Sequence, residues 1–227
     1  MSASDPFRFF GWFIAAFVVL GGLLIFFAAR RAKQRQAECL AWATARGWTY
    51  TPRDRSLAKL AWGPPFGTGS DRDATDVLTG PFEQRRALCF TYTYETSSSN
   101  GETTSSTKHY FAIYALATPR PVSTLQVGRE GVLGRLARAV GLHDIEFESE
   151  EFNKRFKVRS DDRKLASDVL HPRMMQWLLD NDAAGFVLVD GQAFIAQRGR
   201  LELAAIDQWL GYLEQVIGQI PEFVWNP

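Results

Sequence analysis

The sequence has little that would hold a metal, a cofactor or a nucleic acid. Among its 227 residues are two cysteines, Cys39 and Cys89, and three histidines, His109, His143 and His171. There is no CxxC pair, and no histidine lies at helix or strand ligand spacing from another or from a cysteine. A zinc signature is therefore absent. In a reduced compartment both thiols are expected to stay free and to pack as small hydrophobes. An excess of one charge is missing too. Lys and Arg number 26 against 25 Asp and Glu, for a net charge of +1. No long basic block lies outside residues 30–35, which excludes a nucleic-acid footprint on the rest of the chain.

Signatures of catalysis are equally sparse. No GxSxG elbow and no Gly-Lys-Ser/Thr phosphate loop occurs. Gly67-x-Gly69 is followed by Arg72 where the third glycine of a dinucleotide fingerprint belongs. Asp71, Asp73 and Asp76 suggest a calcium loop, but Asp76 fills the glycine place and Phe82 the place of the bidentate glutamate. No cofactor is expected, and no catalytic constellation marks the chain as an enzyme.

What is present is one long charge-free run, Phe9 to Ala29, of about 21 residues. As a helix it reaches ~31 Å, the thickness of a bilayer's hydrocarbon core. Arg30, Arg31, Lys33 and Arg35 follow it, against Arg8 and Asp5 before it. Basic flanks stay cytoplasmic. A cleaved signal peptide would have its charge before the run and a cleavage site after it. The expectation is therefore a single-pass protein of the cell (inner) membrane. Residues 1–8 would form a short extracytoplasmic N-terminus, 9–29 a transmembrane helix, 30–47 a basic juxtamembrane helix and 48–227 a cytoplasmic α+β domain. The expected partners are the lipid bilayer, anionic headgroups at the basic cluster, and another membrane protein or a second copy of the chain. Gly11 and Ala15 have the small-xxx-small spacing that seats helix pairs.

The rest of the chain punctuates itself. Gly47 closes the juxtamembrane helix in a position suited to a left-handed residue, and Trp48 to Tyr50 reads as a strand. Residues 52–73 are broken by prolines and glycines, with a short helix at Ser56 to Ala61. Ala74 to Thr79 reads as a strand before a turn at Gly80-Pro81. Leu88, Phe90, Tyr92 and Tyr94 alternate with Cys89, Thr91 and Thr93, a period of two. This strand, the polar loop Thr96 to Thr107 and the strand His109 to Ala117 predict a long hairpin. Val122 to Val127 reads as a strand and Glu130 to Val140 as a helix. Asp190-Gly191 between Phe186 and Ile195 matches a type I′ hairpin turn. Helices are predicted to about Leu170, from Pro172 through Leu179, and from Leu203 to Ile220.

Two segments carry alternating charge. Asp144, Glu146 and Glu148 flank Ile145 and Phe147, and Arg155, Lys157 and Arg159 flank Phe156 and Val158. They are expected to be antiparallel neighbours whose cross-strand ion pairs fix the register. The fold class expected is α+β: an antiparallel or mixed sheet of roughly eight strands with packed helices, behind the transmembrane helix.

The stretch Glu148 to Leu179 resembles a family of uncharacterised bacterial single-span membrane-anchored proteins. The resemblance is carried by Glu151-Phe152-Asn153 with Phe156, Val158 and Asp162, then Leu170, Pro172 and Met174-Met175. The basic exit from the apolar run, Gly47-Trp48 and the closing Ile220-Pro221 fit the same pattern. It implies an anchor and a cytoplasmic domain, and brings no catalytic residues with it. Asn153, Arg155 and Asp162 form the candidate surface. Their structural alternative is a turn, an ion pair and a helix cap.

The function expected is a membrane-anchored binding, regulatory or interaction module. The alternatives are a membrane-tethered enzyme acting on a small molecule or lipid headgroup, and a structural subunit of a membrane assembly. A deep pocket with converging polar groups favours the enzyme, and an exposed apolar patch favours a partner.

Overall fold

A computed structural model describes residues 6–99, 104–129 and 142–226, with side chains from Val19 onward. Nine strands form one sheet. In chain order they are β1 (Thr49–Arg53), β2 (Ser70–Phe82), β3 (Arg85–Ser99), β4 (Thr104–Ala117), β5 (Leu125–Arg129), β6 (His143–Ile145), β7 (Phe156–Ser160), β8 (Phe186–Val189) and β9 (Gln192–Arg198). The spatial order is β1-β2-β3-β4-β9-β8-β5-β7-β6. Every pairing is antiparallel. The helices are α1 (Pro6–Ala45), α2 (Glu150–Arg155), α3 (Arg163–Val169), α4 (Pro172–Asp180), α5 (Ile206–Gln219) and α6 (Glu222–Trp225).

Among the described residues the sheet has nine strands, all paired antiparallel, in keeping with the expected antiparallel or mixed sheet of roughly eight. The expected fold class needs correcting at its N-terminal part. The transmembrane helix over residues 9–29 is not upheld. Among the described residues no helix is long and apolar enough to cross a membrane. Beyond the apolar run α1 continues without a break through Arg30, Arg31, Lys33 and Arg35 to Ala45. The predicted helix over residues 130–140 lies outside the described residues.

The central strands β3, β4 and β9 are buried on both faces, so the sheet is covered twice. Cys89, Tyr114, Leu188 and Ile195 point to the side packed by α3 to α6 and the end of α1. Phe90, Tyr92, Ile113, Val187 and Phe194 point to the other. Among the described residues no long helix packs on that second face. It is covered by the irregular strap from Asp54 to Gly69, whose Trp62 and Phe66 lie on Phe194 (centroids 5.3 and 5.8 Å) and whose Phe66 also meets Tyr92 at 4.6 Å.

Several local expectations hold. Asp190 (φ 49°) and Gly191 (φ 73°) are both left-handed, as a type I′ turn requires. Gly47 is left-handed at the end of α1 (φ 67°). The Gly80-Pro81 turn is displaced. β2 runs on to Phe82 and turns at Glu83 (φ 49°). Gly80 serves packing there: a Cβ would stand 2.2 Å from the Trp48 ring, whose Nε1 donates to the Pro81 carbonyl at 3.0 Å.

β6 and β7 are antiparallel neighbours, with Asp144 opposite Arg159 and an Nε–Oδ1 contact of 2.7 Å. The return between them is α2 instead of a simple hairpin, capped by the Ser149 hydroxyl, which accepts from the Phe152 N–H. Asp144 is 69% exposed and Arg159 16%. A double-mutant cycle of Asp144→Arg and Arg159→Asp is expected to give a coupling of ~0.2–1 kcal/mol. It should shrink in high salt. Strict additivity of the two melting shifts would remove the pair from the account of register.

Candidate functional site

The charged residues singled out in the sequence have structural partners. Asn153 grips the backbone of Phe147, accepting from its N–H at 3.1 Å and donating to its carbonyl at 2.6 Å. Arg155 reaches Asp182 at 2.8 Å and the Leu179 carbonyl. Asp162 caps α3 by accepting from the Leu165 N–H. Arg155 and Asp162 belong to different helix ends, and the three do not converge on one space. His171 caps α4 in the same way, accepting from the Met174 N–H.

The basic cluster divides. Arg30, Arg31 and Lys33 are exposed, whereas Arg35 turns onto the domain. Its Nε donates to Asp76 at 3.3 Å and its Nη2 to the Leu201 carbonyl. Asp76 is 8% exposed, lies in a left-handed conformation (φ 52°), and also accepts from the Tyr50 hydroxyl. Arg35 thus clasps α1 to β2 and to the chain entering α5. Burial pushes the nearby Cys39 thiol up to about 11, opposed by Arg35, and raises the Tyr50 hydroxyl further. No group of three metal-ligating side chains occurs among the described residues.

The site that the sequence does not reveal is a slot in the sheet itself. β9 pairs with β4 as far as Arg198, opposite Phe111. Its other neighbour, β8, is shorter and meets β9 only as far as Val187 opposite Phe194. On its far side β8 meets β5 through three pairs, ending at Val127 opposite Phe186. Beyond that point no strand among the described residues lies between β9 and β5. The space left is a cavity of about 470 Å³, walled by Ile195 to Arg198 on one side and Val127 to Arg129 on the other. Ala184, Gly185 and Phe186 line it where β8 begins, and Pro64-Pro65 of the strap form another part of its wall.

The backbone explains the gap. A Cβ on Gly185 would stand 2.0 Å from the Val127 carbonyl oxygen, so the chain entering β8 lies hard against β5. Arg129 holds it there, donating to the carbonyls of Asp182 and Ala183 and pairing with the Asp182 carboxylate at 2.6 Å. Hydrogen bonding by Arg129, aided by Arg155, keeps that carboxyl below the usual range.

Chemically the slot is mostly apolar, with one arginine on each wall at the end away from Phe186. Among the described residues its lining has no Asp, Glu, His, Cys, Ser or Lys. Arg129 is neutralised by Asp182, whereas Arg198, exposed at the end of β9, has no acidic partner among the described residues. Arg198 sits near Tyr94, whose hydroxyl burial raises and Arg198 lowers. Gln126 is buried on the same sheet face as Val187, and neither atom of its amide meets a partner among the described residues. Two other depressions, of about 480 and 630 Å³, are open surface hollows rimmed by charges. In the second, Arg85 and Glu214 already bind each other at 2.9 Å.

Burial of both cysteines generates a direct check. Cys39 is held at about 11 and Cys89 is raised more strongly by complete burial. At pH 8 only about one Cys39 in a thousand is thiolate. A disulfide reagent such as Ellman's is expected to leave both untouched in the native protein and to titrate both in guanidinium. Rapid native labelling of either would contradict this packing.

No family model and no curated protein matches the chain. Among solved structures, it is similar to the mycobacterial trehalose monomycolate transport factor A, TtfA, with a TM-score of 0.58 at 15% identity over 82% of this chain and 92% of that one. At that identity the likeness is one of fold.

Proposed function

We propose that this protein is a non-catalytic binding module that takes a single extended apolar chain, of the acyl type, into the slot between β9 and β5. The observation that carries this reading is the lining. About 470 Å³ of space is bounded by Pro64, Pro65, Phe111, Val187, Phe194 and Ala196, with no nucleophile and no acid–base pair among the described lining residues. Small-molecule sites have such volumes and such apolar walls. The residues of a membrane-tethered enzyme would have to lie elsewhere. The solved structure that shares this fold is named for transport of trehalose monomycolate, and a role in lipid handling is the corresponding reading for this chain.

Two uncharged tests address the slot. N-phenyl-1-naphthylamine is expected to brighten on binding, and Ala196→Trp, which projects an indole into the space, should weaken it at least tenfold with an unchanged cooperative melt. Val187→Phe serves as a second blocking variant. Undiminished binding by both folded variants, or no binding by the natural protein, would overturn the proposal.

Lipid handling also calls for a lipid surface, and α1 offers one. Leu23, Leu24, Ile25, Phe26 and Phe27 are exposed together and are followed by exposed Arg30, Arg31 and Lys33. A contiguous apolar patch of this kind marks an interaction surface. Basic residues near an anionic membrane contribute ~1 kcal/mol each. Changing Arg30, Arg31 and Lys33 together to Gln should lower partitioning onto phosphatidylglycerol vesicles by one to two orders of magnitude. Arg35 is left intact because it serves Asp76. Equal partitioning would dismiss the electrostatic contribution.

A further inference from the structure

We propose that the slot selects single-chain amphiphiles with an anionic head, and that Arg198 is the residue that binds the head. This rests on the slot being a chain-binding site and adds the chemical class and polarity of what enters it. The slot has a direction. Phe194 is 1% exposed and Val187 8%, whereas Arg198 is exposed. Arg198 lies four residue steps from Phe194 along β9, or ~13 Å at the rise of a strand. A chain that buries its tail against Phe194 and Val187 therefore presents its head at Arg198.

The charge census chooses Arg198 over the other arginine of the wall. Arg129 is committed: it donates to two carbonyls and to the Asp182 carboxylate, which also takes Arg155. Among the described residues no acidic group compensates the charge of Arg198. Across β4 its register partner is Phe111. Tyr94, the ionisable group it acts on, is a buried phenol whose hydroxyl burial keeps protonated. Arg200, two residues on, is cationic itself and stacks over Tyr110 at 4.4 Å. Glu95, an acid of the neighbouring strand pair, is engaged by Lys108 at 3.9 Å and by the Ser106 hydroxyl. A guanidinium with free donors at the open end of an apolar slot matches a carboxylate or phosphate, which it can bind in bidentate fashion.

The experiment uses the full chain and three ligands with the same twelve-carbon tail: laurate, dodecyl phosphate and the uncharged monolaurin. Each displaces N-phenyl-1-naphthylamine at pH 8 and low salt. Laurate and dodecyl phosphate are expected to compete roughly five- to tenfold better than monolaurin, with the advantage fading in high salt. Arg198→Gln should abolish the advantage by weakening laurate and dodecyl phosphate several-fold more than monolaurin, and Arg198→Lys should restore part of it. Binding that does not depend on the head, or an advantage that survives Arg198→Gln, overturns the assignment while the slot stands as a chain site. Failure of the probe and of all three ligands to bind overturns the slot reading itself.

Discussion

The fold depends on the need to cover a sheet whose middle strands are apolar on both faces. β3 alternates Phe90, Tyr92 and Tyr94 with Ala87 and Cys89, all buried. Neither face of such a strand is stable in water, at ~25 cal/mol for each Å² of apolar surface. One face is solved in the common way, by amphipathic helices: α5 buries Ile206, Leu210, Leu213, Val216 and Ile217 against it. The other is solved by the strap from Asp54 to Gly69, which works through a few aromatic rings. Phe66 touches Phe90, Tyr92 and Phe194, and Trp62 touches Phe194. A strap closes a face less completely than a helix layer does. The slot opens at its margin, beside Pro64-Pro65.

Local signals were the readable part. The β8–β9 hairpin is legible because Asp190-Gly191 selects its own turn. The β3–β4 hairpin is legible because Leu88 to Tyr94 keeps a period of two. The β6–β7 pairing is legible because its charges sit opposite one another at Asp144 and Arg159. The strap was not legible as a sheet cover, since Trp62 and Phe66 have no periodicity. The Gly80-Pro81 pair misled because the reason for the glycine is the distant Trp48 ring. The apolar run from Phe9 misled more seriously. Freedom from charge reads as a membrane span, and no helix among the described residues qualifies as one. Arg35 belonged by sequence to a lipid-facing cluster, but its partners Asp76 and Leu201 lie 41 and 166 residues away.

The slot was illegible for the same reason as the Arg35 clasp. It is made by strands that are neighbours in space only. β9 follows β4 across the sheet and β8 follows β5, and the space between them depends on where each pairing stops. The single local trace is Gln126, a polar residue between Leu125 and Val127. Its amide lies close to the strap, since a Cβ on Gly63 would stand 2.3 Å from its Nε2. A buried amide without partners, as this one is among the described residues, opposes folding by about 1–3 kcal/mol. It lies on the strap-covered face opposite Val187, and not in the helix-covered core.

The slot persists because the residues that could close it are held elsewhere. Extending β8 backward by three or four residues would place segment 182–185 beside Ile195 to Arg198 and fill the gap with ladder hydrogen bonds. Three contacts prevent that. The Ala183 N–H is committed to the Leu178 carbonyl at the end of α4. Arg129 holds the carbonyls of Asp182 and Ala183 from the β5 side. Gly185 fits against Val127 only because it lacks a Cβ. The chain therefore reaches β8 along β5 and leaves the outer edge of β9 open. The same arrangement ties up Arg129 and leaves Arg198 the unneutralised cation of the wall. Opening the slot and giving its two walls unequal charge are in this sense one structural event, centred on Arg129.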